Sequence, residues 1–195
     1  MESNPYAAPD SQSVVKAKVE SQKFYVVAPM KFFLLFGATL GIYQIYWHYK
    51  NWSLFKKSYR GDEWPVMRAI FAIFFVHGLF REVDAQLRKK RSPHSWNPNL
   101  HATAIVILLI AERIISRMSD MNEDFNFLDM LTLLSIPLIC FFYYQAQKAI
   151  NEACGDPDGL ANSNYTIANI LWITLGGLFV LLIAASVVFI MVSEV

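Results

Sequence analysis

Residues 167–192 form a run of twenty-six residues without one charged side chain. As a helix that run rises about 39 Å, enough to cross the ~30 Å of bilayer hydrocarbon. It predicts a membrane-spanning helix. In lipid every backbone polar group needs an internal partner, so the neighbouring apolar segments are expected to be helical too.

Four such segments precede it. Segment one covers residues 31–49, with an apolar core at 32–46 that rises only about 22 Å if helical. Its aromatic end (Tyr43, Tyr46, Trp47, Tyr49, Trp52) is then expected at the membrane interface, with Lys50, Lys56, Lys57 and Arg60 beyond it. Gly37 and Gly41 have the spacing of a helix-packing pair, although a simple lipid-facing helix is the favoured use of that stretch. Arg60-Gly61-Asp62 reads as a turn ahead of a helix, with Asp62 and Glu63 near its N-terminus and Pro65 at its first position.

Segment two, residues 66–80, carries Arg68 and His77. Phe80, Val83 and Leu87 recur at helical spacing, and Asp84 can pair with Arg88, so the helix is expected to continue to Lys90. Segment three starts near Leu100 and has ten apolar residues before Glu112 and Arg113. It spans only by using Ile114, Ile115 and Met118 as well. Segment four, residues 127–144, has Asp129 at its entrance and Pro137 in its middle, where a kink is expected. It should run on to Cys154 and stop at Gly155.

The chain is therefore read as all-α. A polar, disordered tail over residues 1–22 precedes a single membrane-embedded helical domain over 23–195. That domain is a bundle of about five apolar helices, of which the first two are short enough to form a re-entrant hairpin instead. The polar tail, with Pro5 and Pro9, does not resemble a cleavable leader. A hydrophobic content of 55% agrees, because a soluble domain of 195 residues needs more polar surface.

Charge bears on orientation. Residues 1–91 hold 14 of the 17 Lys and Arg, and residues 92–195 hold 9 of the 16 acids. Basic residues favour the cytoplasmic side. Five crossings with the N-terminus inside put ten basic residues in the cytoplasm and seven outside; the hairpin alternative puts 15 inside and two outside. Either arrangement leaves the N-terminus in the cytoplasm.

Gly41-Ile42-Tyr43-Gln44-Ile45-Tyr46-Trp47, at the end of a short apolar segment, resembles the Gly-x-Tyr-x-x-Tyr-Trp signature of small bacterial membrane proteins of the DUF4234 type. The likeness covers about twenty residues. It implies a multi-pass protein of the bacterial inner membrane and brings no activity and no site residue with it.

No catalytic constellation stands out. Ser53, Ser135, Cys140 and Cys154 lack a histidine at a recognised spacing, and His48, His77, His94 and His101 are scattered. Fourteen helical residues would separate Cys140 from Cys154 by about 21 Å, so both read as free thiols. His94 and His101, two loop histidines, read as solvated rather than as metal ligands, and Asp156-Pro157-Asp158-Gly159 reads as a turn rather than a calcium loop. No cofactor site and no nucleic-acid surface is expected.

Two groups remain as leads. Arg68, His77, Glu112, Arg113 and Asp129 are ionisable groups within apolar segments, able to line a polar path or to snorkel toward the membrane ends. Arg88, Lys89, Lys90 and Arg91 form a basic cluster able to contact anionic lipid headgroups or to enforce topology. The expected function is that of a non-catalytic accessory acting through the bilayer, a membrane-protein partner or a second copy. The alternative is a small transporter or channel, and an enzyme acting on lipid or peptide has least support.

Overall fold

The computed structural model describes residues 23–59, 61–119 and 127–193. The regular elements among them are all helical. The tail expected over 1–22, Arg60 of the Arg-Gly-Asp turn and the acidic stretch 120–126 lie outside the described residues.

The described chain enters as an extended segment, residues 23–28, with Phe24, Val26 and Val27 buried. Pro29, whose missing N–H costs nothing at a helix start, opens α1 (Pro29–Ala38). Segment one does not continue as the single helix expected to residue 49. After α1 the chain turns, and α2 (Tyr43–Tyr59) begins anew. The stop is a Schellman motif: Gly41 N–H donates to Phe36 O at 2.9 Å and Leu40 N–H to Gly37 O at 3.1 Å. Leu40 and Gly41 have φ of 48° and 88°. Gly41 and Thr39, whose Oγ1 accepts from Tyr43 N–H at 3.0 Å, mark this stop within an otherwise apolar run.

The expected aromatic belt is split. Tyr43, Trp47, Trp52 and Phe55 are buried in the core, whereas Tyr46 and Tyr49 are exposed. Residues four apart share one face of a helix, so positions 43, 47 and 51 turn inward together. Segment two is also divided. α3 (Pro65–Ile70) folds back along α2, and α4 (Ala72–Lys89) leaves at a new angle after Phe71, whose ψ is 37°. The continuation to residue 89 keeps the expected face: Phe80, Val83 and Leu87 are buried, and Asp84 accepts from Arg88 at 2.7 Å. A second Schellman motif ends α4, with Ser92 N–H on Leu87 O and Arg91 at φ 52°.

Asn97 caps α5 (Pro98–Ser119), its Oδ1 accepting from Leu100 N–H at 3.0 Å. α6 (Phe127–Cys154) runs through Pro137 and stops at Gly155, φ 75°. A 3₁₀ turn (Leu160–Asn162) leads to α7 (Ile167–Ser193), which opens on a reciprocal capping box between Thr166 and Asn169.

α5 and α6 pack against each other with α4 across both, and α1 lies against α6 and α7. The buried core gathers the extended segment, α1, α2, α4, the start of α5 and the second half of α6. Beyond it the first half of α6 exposes Phe127 and Leu134, the second half of α5 exposes Ile110 and Ile114, and α7 is exposed along its length. The Gly37/Gly41 pair does not bring helices together: Gly37 has open space about its Cα, and Gly41 serves the turn. Close approach occurs instead at Gly176, where an added Cβ would lie 2.1 Å from Ala38 O, so α7 crosses the end of α1 on a bare backbone. Three helices, α5, α6 and α7, are long and apolar enough to cross a membrane.

Candidate functional site

An extended strand alone in a helical protein has no ladder to satisfy its N–H and C=O groups, and buried groups of that kind need partners. Here side-chain amides supply them. Asn51 Oδ1 accepts from Tyr25 N–H at 3.0 Å, and Gln147 Nε2 donates to Tyr25 O at 3.0 Å. Asn151 bonds both sides of Val27, accepting its N–H at 3.2 Å and donating to its C=O at 2.9 Å. Asn162 Nδ2 donates to Val26 O at 2.9 Å. Gln147 and Asn151 stand one turn apart on α6 and are themselves joined at 2.7 Å, while Trp47 donates its indole N–H to Gln147 Oε1. His48 Nε2 meets the Tyr143 hydroxyl at 2.9 Å, both fully within the core.

Beside this clamp a cleft opens between α1, α2 and the start of α7. Its mouth, about 330 Å³, is lined by Tyr25, Lys31, Tyr46, Lys50, Asn162 and Asn169. Tyr46, Thr166 and Asn169 also line an adjoining space of about 280 Å³, whose walls are Leu35, Ile42, Tyr43 and Trp172. Polar entrance and apolar interior thus lie side by side.

Two cations stand at the mouth. Lys31, in the first turn of α1, is only 2% exposed, and its Nζ donates to Asn162 Oδ1 at 2.6 Å and Asn164 O at 2.7 Å. Burial holds its ammonium below the ordinary lysine range. Lys50 Nζ sits 5.9 Å and 5.8 Å from the ring centroids of Tyr25 and Tyr46. Burial pushes the Tyr25 phenol up to about 12, so it stays a neutral donor. Among the described residues neither lysine has a carboxylate partner. The Tyr43 hydroxyl is buried beside that of Tyr25.

The ionisable residues singled out in the apolar segments do not assemble at this cleft. The Arg68 guanidinium lies over the Trp52 ring at 4.0 Å and near Phe75 at 5.3 Å, and His77 Nε2 meets Thr103 Oγ1 at 3.1 Å. Glu112 is half-buried and Arg113 exposed on α5, and Asp129 accepts from the Ser119 hydroxyl. Among the described residues no hydrogen bond or ion pair joins Arg68, His77, Glu112 and Arg113 to one another. At the end of α4, Arg88 pairs with Asp84 while Lys89, Lys90 and Arg91 face outward. The Asp156 carboxylate accepts from Leu160 N–H and Ala161 N–H, at 3.0 Å and 2.8 Å, as a turn requires. Cys140 and Cys154 are free.

Sequence reasoning missed Lys31, Lys50, Asn51, Gln147 and Asn162 as a group. A trace existed: Gln147 and Asn151 are amides at i, i+4 inside a long helix, a spacing that shares one face. What they face is a strand about 120 residues away in the chain, which no local pattern contains. Compared with known proteins, the chain matches no family model, and no curated protein or solved structure is detectably similar to it.

Proposed function

We propose that this is a bacterial inner-membrane protein with three crossings, α5, α6 and α7, and with its N-terminus in the cytoplasm. On this reading α1–α2 and α3–α4 are hairpins that enter and leave on the cytoplasmic face. The contacts of Lys23 support it: its Nζ reaches both Tyr59 Oη, at the end of α2, and Gln86 Oε1, near the end of α4, at 3.2 Å and 3.1 Å. The start of the first hairpin and the far ends of both therefore meet. The basic count of 15 inside against two outside supports the same arrangement, as does the resemblance to DUF4234-type membrane proteins.

Its role is that of a non-catalytic accessory working through contacts with lipid and with other membrane proteins. One observation carries this: α7 rests on α1 along one side and leaves Leu171, Leu175, Leu178 and Leu182 open. That is more apolar helix surface than the fold itself uses. Affinity capture of the full chain from mild detergent, under several growth conditions, is expected to return a defined membrane-protein partner or specific lipids. Recovery of the bare protein every time contradicts the role.

A further inference from the structure

The cleft has the two-part chemistry of an amphiphile site. We propose that it binds one anionic phospholipid, with the phosphate between Lys31 and Lys50 and an acyl chain laid along Leu35, Ile42 and Trp172. The inference rests on the membrane reading above and adds the ligand class.

Three observations support it. Lys31 and Lys50 lack a carboxylate partner among the described residues, so their charges are available to an anion, and a buried cation gains most from one. The mouth adjoins an apolar space, with Tyr46, Thr166 and Asn169 lining both. A free phosphate would leave that interior empty, and a neutral chain would leave the lysines unused. Depth agrees as well: Thr166 is the residue before the uncharged helix, and Trp172 is six residues, about 9 Å, further along it. Headgroup and acyl levels of a bilayer are separated in the same sense.

The test uses the full chain in nonionic detergent, with native mass spectrometry against phosphatidylglycerol, phosphatidylcholine and glycerol 3-phosphate. Phosphatidylglycerol is expected to bind at least tenfold more tightly than either other probe. Lys50→Gln, whose ammonium makes only ring contacts among the described residues, is expected to weaken it about fivefold, since one cation near an anionic headgroup contributes about that factor. Ile42→Trp, at an exposed position, is expected to block the chain-binding part, while Arg117→Gln, exposed near the far end of α5, leaves binding unchanged. Equal binding of the two lipids, equal binding of the soluble phosphate, or no effect of Lys50→Gln overturns the proposal. Carbonate extraction of the same variants keeps the two claims apart: a protein that stays in the membrane but shows no lipid preference loses the cleft and retains the membrane reading.

Discussion

Asn151 bonds the N–H and C=O of Val27 with one side chain, and Gln147 beside it reaches Tyr25 O. Removing a partner of a buried backbone group costs about 1–3 kcal/mol, so Asn151→Leu is expected to destabilise the protein by about 2–4 kcal/mol, measured as a fall in the unfolding midpoint in detergent. Gly159 lies against the same strand: its φ is 67°, and an added Cβ would lie 2.4 Å from Val27 O. Gly159→Ala is accordingly expected to be destabilising. Arg91 offers the reverse test. It holds the left-handed position of a Schellman stop, where an L side chain costs about 1 kcal/mol, and its side chain is exposed. Arg91→Gly is expected to raise the midpoint by a few degrees. Gly155 and Gly159 showed their turns in the sequence because glycine and Asp-Pro are strong local signals. Arg91 and Leu40 did not, because nothing about arginine or leucine announces a positive φ.

At the scale of elements, long uncharged or capped helices were legible and composite ones were not. α6 and α7 start and stop close to where their apolar runs and flanking glycine or polar residues place them. The short segments broke, at residues 39–42 around Thr39 and Gly41, weak signals within an apolar run, and at Phe71, where no polar residue marks the turn. The Gly-x-Tyr-x-x-Tyr-Trp pattern, which suggested an interfacial belt, sends Tyr43 and Trp47 into the core and leaves Tyr46 at the cleft mouth. Aromatic residues satisfy both settings, and only the partners across the fold decide between them. The α1–α7 contact gives a paired test. Gly176 touches Ala38 O, whereas Gly177 has nothing within 4 Å. Gly176→Leu is expected to cost about 1–3 kcal/mol and to release α7 from α1, and Gly177→Leu to change little, by the same unfolding assay.

For the whole molecule, the charge asymmetry and the fold both support the proposed three-crossing arrangement. Composition and the final uncharged run point to helices able to cross a membrane. The count of spans was open in the sequence because short apolar segments fit both a crossing and a hairpin by length. Three helices are long and apolar enough to cross, and the contacts of Lys23 draw the ends of α2 and α4 to the start of α1. The candidate cleft was the least legible feature, since it is assembled from an extended strand, two hairpin helices and the start of the last span. The most direct test of the account places single cysteines at the exposed positions Ser58 and Ser95, in a chain with Cys140 and Cys154 replaced, and measures labelling from each side of sealed vesicles. Labelling of both from the cytoplasmic side is the predicted result; labelling from opposite sides contradicts the three-crossing arrangement.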